Sequence, residues 1–248
     1  MDPFLSRVLP LYSPAMNNNF SDDNGLERFL NSFSLFLIGS LRVTDGDRVP
    51  DISDNVPSRE LFLIGNGGSS FWPNFSQSPE FEDGLADPLD RWSRRVGNLL
   101  ANKMGGRAFF PFEGPPHRPF LSWASKTGQV ASSRLSLFIH ERYGLWHAYR
   151  FALALPELRD ESPVGDTLIS PCLSCEDKPC LNACPVNAFA GASYRADLCM
   201  DYLVGDHTSA CRELGCAARR ACPVGKAFTY TPEQAKFHMD AFVKPRIM

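Results

Sequence analysis

All eight cysteines of this 248-residue chain fall between Cys172 and Cys222, and no other feature limits the possible fold so strongly. The first four read Cys172-Leu-Ser-Cys175-Glu-Asp-Lys-Pro-Cys180-Leu-Asn-Ala-Cys184-Pro185. This is the C-x2-C-x2-C-x3-C-P run of a [4Fe–4S] site, with C-x4-C in place of its second C-x2-C. A cube of iron and sulfide needs four thiolates pointing inward from a loop of low regularity. The C-x2-C pair sets two sulfurs on one side, and the proline after the last cysteine turns the chain away. The ending then returns: Cys184-Pro-Val-Asn-Ala-Phe189 is echoed by Cys222-Pro-Val-Gly-Lys-Ala-Phe228. A repeated Cys-Pro-Val ending points to two clusters.

Disulfides and zinc are the competing readings. A disulfide framework belongs to exported chains. The opening MDPFLSRVLPLYSPAMNNNF has no basic n-region, sustained apolar run or cleavage site, so a cytoplasmic chain is expected. Zinc sites repeat C-x2-C knuckles at a distance. Here only Cys172 and Cys175 have that spacing, and proline follows Cys184 and Cys222. Iron–sulfur ligation is the favoured reading.

A hydrophobic content of 44% and an aromatic content of 12% imply a chain with a real core. The longest apolar run, residues 33–41, is far short of the roughly 20 residues that span a bilayer. A net charge of −3 and a pI near 6.0 argue against a nucleic-acid or anionic-membrane partner. The expected partner is a redox protein or a small-molecule acceptor, and oligomeric state is left open. Composition divides the chain into a loose lead-in (residues 1–24), a thiol-free body (25–161), the cysteine segment (162–230) and a terminal helix packing back on the body (231–248).

Within the body, residues 26–41 read as a helix then a strand, and residues 45–59 as a loop. Residues 61–65 are a short buried strand. Residues 88–103 carry Leu89, Trp92, Val96, Leu99 and Leu100 at helical spacing, opened by Asp87-Pro88 and closed by Gly105-Gly106. A strand at 107–112 and a helix at 119–127 follow. Strands at 134–139 and 145–155, joined by the turn His140-Glu-Arg-Tyr-Gly144, form an apolar hairpin. Helices alternating with strands make the fold class α/β (α+β), not a sandwich. Residues 232–243 read as a helix.

Gly65-Asn-Gly67-Gly68-Ser69-Ser70 follows a strand, so Gly67 and Gly68 are candidates to present N–H groups to a cofactor phosphate; a tight structural turn is the favoured alternative. His140, Tyr143, Trp146, His147, Tyr149 and Arg150 crowd one turn. By the period of two, His147 and Tyr149 share a strand face that Trp146 and Arg150 do not. Such a group suits a flat cofactor and a proton donor, although packing against the cysteine segment accounts for it better. His117, in a rigid Pro-rich loop, has no partner at metal-ligand spacing.

The segment Leu135-Ser-Leu-Phe-Ile-His-Glu-Arg-Tyr-Gly-Leu-Trp-His-Ala-Tyr-Arg150, followed by the cysteine run, resembles epoxyqueuosine reductases and reductive dehalogenases. Its second half is also similar to a stretch of cobalamin-processing chaperones. The resemblance spans roughly residues 60–230, and the chain as a whole is similar to small ferredoxin-type iron–sulfur proteins of bacteria. It implies a truncated nitroreductase-like body able to hold cobalamin or a flavin, then a ferredoxin-like module with two [4Fe–4S] clusters. In two-cluster ferredoxins the fourth cysteine of each run ligates the other cube. Carried onto this chain, Cys172, Cys175, Cys180 and Cys222 hold one cluster, and Cys184, Cys199, Cys211 and Cys216 the second. A single cube with four structural thiols is the alternative. Those enzymes have C-x2-C-x3-C-P in the second half; here Arg219 stands at the middle position and Cys211 takes over that role. Glu113 lies nearest the place of their acid. The resemblance thus implies an iron–sulfur electron carrier, with a corrinoid- or flavin-dependent reductase or a cobalamin-handling chaperone as alternatives. His140, Tyr143, His147 and Glu113 are then candidate catalytic groups, and Trp146, Tyr149, Arg150, Gly67 and Gly68 candidate cofactor contacts.

Overall fold

A computed structural model describes residues 23–159, 167–191 and 193–247. The lead-in up to residue 22 and the junction at 160–166 lie outside the described residues. The body is built on strand β2 (Glu60–Gly67), whose eight positions are all buried. A run such as Leu61-Phe-Leu-Ile64 has no polar face, so it needs cover on both sides. Its neighbours are β1 (Phe36–Arg42) and β6 (His147–Leu155), with β3 (Arg107–Phe109) beyond β6. Every pairing in this sheet is antiparallel, which makes the body a mixed α/β fold around a small antiparallel sheet.

Helices α1 (Asp23–Ser32), α2 (Trp72–Ser76), α3 (Pro79–Glu82) and α4 (Pro88–Met104) lie on one side of this sheet. From α4, Leu89, Trp92, Val96 and Leu100 join Phe62, Ile64, Phe151 and Leu153 in the core. Leu99, expected on that stripe, is 40% exposed: one residue before Leu100, it is turned from it by about 100° and lies at the stripe's edge. On the other side, α5 (Phe120–Lys126) buries Trp123 against Leu61, Leu63 and Ala152, and its indole N–H donates to the Asp47 carbonyl at 2.8 Å.

The expected hairpin is not one. Strand β5 (Phe138–His140) pairs with β4 (Val130–Ser132) in a separate two-stranded sheet, whereas β6 lies between β2 and β3. Two bonds between His140 and Gly144 close the intervening turn, at 2.9 and 2.8 Å, and β6 then leaves for the main sheet. Ser136, at φ 56°, shortens the strand expected at 134–139. The strand expected at 107–112 stops before Pro111, which has no N–H for the ladder.

The cysteine segment is made of short helices: α6 (Pro179–Asn182), α7 (Ala196–Gly205), α8 (Ala210–Leu214) and α9 (Ala217–Ala221). The last helix, α10 (Pro232–Ile247), packs on α8 and α7. Its Phe237 also meets Trp72 and Phe75 of the body at 5.4 Å each. Among the described residues no helix is long and apolar enough to cross a membrane.

Candidate metal centre and adjoining cavity

All eight cysteines are free thiols. Cys172 and Cys175 lie in the loop before α6, Cys180 in α6 and Cys184 just after it. Cys199 lies in α7 and Cys211 in α8, while Cys216 and Cys222 flank α9. Burial raises the pKa of Cys180, and Cys172 and Cys175 raise it further. Burial likewise raises Cys222, with Cys180, Cys172 and Cys175 adding to it. Cys199 is raised by burial, then by Cys184 and Cys211. Cys216 is raised by burial, and Cys211 and Cys199 add to it. The thiols thus influence one another within two quartets, and α6 packing against α9 is what brings Cys222 to the first. Thiols crowded this way resist ionisation unless a bound cation compensates the charge. Among the described residues no three His, Cys, Asp or Glu side chains form a single-ion site. A cube with iron at its corners does not need its ligands to converge on one point.

Two groups face the second quartet's sulfurs. The Ala188 N–H donates to Cys184 Sγ at 3.3 Å. The Tyr194 hydroxyl interacts with the Cys199 sulfur, favouring its thiolate, and the ring stacks on Phe189 at 4.8 Å. Leu135, Ile139 and Leu145 of the body pack with Cys184, Ala188, Ala218 and Cys222, so one wall of the thiol segment comes from the body.

The seam between the two parts is made of backbone. A Cβ on Gly144 would stand 2.1 Å from the Val224 carbonyl oxygen, and one on Gly225 would stand 2.4 Å from Tyr143 backbone atoms; both residues have positive φ. Arg219, at the position where a cysteine was expected, donates from Nε and Nη2 to the Leu145 carbonyl at 2.8 and 2.5 Å. Its guanidinium lies over Trp146 at 4.3 Å and Tyr230 at 4.6 Å. That strut was not anticipated; an arginine among cysteine ligands was its only sign.

The candidate residues of the turn part company. Trp146 is 2% exposed beneath Arg219 and Tyr230. Tyr143 sits between Phe36 and Phe228, at 4.8 and 4.7 Å, and Gly67 and Gly68 lie against Tyr143 and Phe228. His140 Nδ1 accepts from the Arg142 N–H at 3.1 Å, and burial lowers its pKa. Glu113 pairs with Arg94 at 2.7 Å at a different surface, and His117 contacts the Glu113 carbonyl at 3.0 Å. His147, Tyr149 and Arg150, by contrast, line a cavity of about 360 Å³ together with Arg219, Tyr230 and His238. Burial pushes His147 down to about 4, so it is neutral near pH 7. Its Nδ1 lies 3.1 Å from the Gly144 carbonyl, to which it donates, and Nε2 keeps a lone pair. Burial raises Tyr149, whose hydroxyl has no hydrogen-bond partner among the described residues.

No protein-family model matches the chain, and no curated protein matches it. Solved structures similar to it include a selenomethionine-labelled epoxyqueuosine reductase, at 15% identity and a TM-score of 0.45 over 86% of this chain and 70% of that one. A second is epoxyqueuosine reductase with an epoxyqueuosine-modified tRNA-Tyr stem loop, at 16% identity and a TM-score of 0.46 over 86% and 69%. A third is the Bacillus subtilis epoxyqueuosine reductase with its catalytic loop swung out of the active site, at 16% identity and a TM-score of 0.43 over 86% and 70%.

Proposed function

We propose that this chain is a cytoplasmic iron–sulfur electron-transfer protein with two [4Fe–4S] clusters, delivering electrons to a redox partner or to a small acceptor on its own body. The observation that carries the reading is the sorting of the thiols: Cys180, Cys172 and Cys175 lie close enough to act on Cys222, which α9 brings against α6, and Cys184 acts on Cys199. Each Cys-Pro-Val ending thereby joins the thiols of the other run, which is how paired cubes share ligands. Bound clusters supply one-electron transfer. The protein's own residues supply the thiolates, the Arg219 strut that fixes the segment to the body, and a cavity lined by Tyr149 and by neutral His147, whose Nε2 lone pair can accept a hydrogen bond.

Hydrogen bonding toward a cluster sulfur stabilises the reduced, more negative state. Tyr194→Phe is therefore expected to make the potential of the Cys184, Cys199, Cys211 and Cys216 cluster more negative, by about 40 mV for ~1 kcal/mol of lost interaction. Redox titration followed by electron paramagnetic resonance reads this directly. An unchanged potential would remove Tyr194 from that cluster's surroundings.

The second reading is a corrinoid- or flavin-dependent reductase, favoured by the cavity at His147 and Tyr149. Its volume lies at the low end for ligand pockets, which suits a small acceptor better than a whole corrinoid. Titrating FMN and cob(II)alamin into anaerobic protein separates the two. Under the reductase reading one of them binds, and Tyr149→Ala weakens it by roughly 1–3 kcal/mol through lost ring contact, with iron content unchanged. No binding at high micromolar concentration leaves the carrier reading alone.

A further inference from the structure

We infer that Arg150 is the anchor of a binding site for the carboxylate or phosphate group of a small, partly apolar molecule. The backbone puts it there. Gly65 pairs with Tyr149 and Ile64 with Phe151, so Arg150 is an extra residue on β6 with nothing opposite it. Such a bulge bends the strand and re-aims a side chain. Strict alternation would have kept Arg150 off the His147 and Tyr149 face, yet all three line the 360 Å³ cavity. A second cavity of about 720 Å³, walled by Leu89, Phe237 and Ala241, also opens onto Arg150 and His238. Arg150 lies deep in the molecule, yet the residue is only half-buried and lines both cavities.

Among the described residues Arg150 makes no hydrogen bond or ion pair. Its Nε is sealed from solvent with no hydrogen-bond partner among the described residues. The carboxylate it feels is Asp90, in the first turn of α4, which acts through space and makes no ion pair with it. Arg219, on the same cavity, is already held by the Leu145 carbonyl and two aromatic rings. A deeply placed, permanently charged group without a counter-ion is costly, and an anion is what relieves it. Tyr149, which also lines the cavity, has a buried hydroxyl likewise without a hydrogen-bond partner among the described residues. His238 is pushed down to about 3 by burial, then by Arg150 and Arg219, so it stays neutral and can accept or donate. Apolar walls in both cavities favour an organic anion over an inorganic one.

This inference rests on the proposed function only in taking the ligand as electron acceptor; anion binding does not require the clusters. The test is calorimetric titration of anaerobically purified full-length protein with benzoate, phenyl phosphate, inorganic phosphate and benzyl alcohol, with iron and sulfide assayed on the same sample. One of the two aromatic anions should bind, tighter than inorganic phosphate, and the tighter of them names the acidic group. Arg150→Gln should weaken it about tenfold or more. Asp90→Asn, at a half-buried position on α4, should tighten it by removing the competing charge. Should Arg150→Gln fail to fold, Asp90→Asn decides. The inference is overturned if neither anion binds, if benzyl alcohol binds as tightly, or if neither substitution changes the affinity. Binding without iron would sink the electron-transfer reading and leave the site standing; iron without binding would do the reverse.

Discussion

Replacing Cys222 by serine should halve the iron of the protein, from about eight to about four atoms per chain, and the cube lost should be the one shared with Cys172, Cys175 and Cys180. In linear order Cys222 belongs with the later cysteines, so an uncrossed arrangement expects the opposite loss. The geometry argues for crossing: Cys222 follows α9, α9 packs on α6, and the thiols raising its pKa after burial are Cys180, Cys172 and Cys175. Cys184→Ser should give the reciprocal result, sparing the first cube and damaging the one at Cys199, Cys211 and Cys216. Iron and acid-labile sulfide assays give the count, and electron paramagnetic resonance of each reduced variant identifies the surviving cube. Wild-type protein holding only about four iron atoms would end the two-cluster proposal.

The second large effect is expected at the seam. Gly144→Ala places a Cβ 2.1 Å from the Val224 carbonyl oxygen at a residue with φ 54°. Neither atom in that clash is the end of a flexible side chain, so the two backbones must separate. Destabilisation of about 3 kcal/mol or more is expected, from left-handed strain plus the lost approach of the turn to the cysteine segment. Gly84→Ala is the control. It has a similar φ of 69° with nothing within 4 Å of the added carbon, so it should lose only about 1 kcal/mol. Chemical denaturation compares the two. Equal losses would mean that the seam yields freely and does not hold the parts together.

Much of this was legible from residues near one another in the chain. The α4 stripe, the buried run of β2 and the boundary at Gly105 follow from local period and propensity. The proposed thiol quartets came from a family resemblance and not from local pattern. What stayed hidden depends on which distant segment arrives. Residues 135–150 look like a hairpin by their own pattern, but β6 gains more by burial between β2 and β3 than by pairing with β5. The bulge at Arg150 is a matter of register against Ile64 and Gly65, which period-two reasoning cannot register. Tyr230 and His238 reach the cavity only because the terminal segment folds back, and nothing in their own neighbourhood announces it.

The cavity has walls from two distant stretches of the chain: His147, Tyr149 and Arg150 belong to the central sheet, while Arg219, Tyr230 and His238 belong to the last thirty residues or so of the described fold. It exists as a cavity only while those parts are docked. Any molecule that fills it therefore binds the assembled form and not the open one, and by mass action contributes about 2.7 kcal/mol to assembly when present at a hundred times its dissociation constant. Occupancy and closure become a single equilibrium. A chain ending before α10 would lose His238 and the ligand with it, even with every strand of the sheet intact.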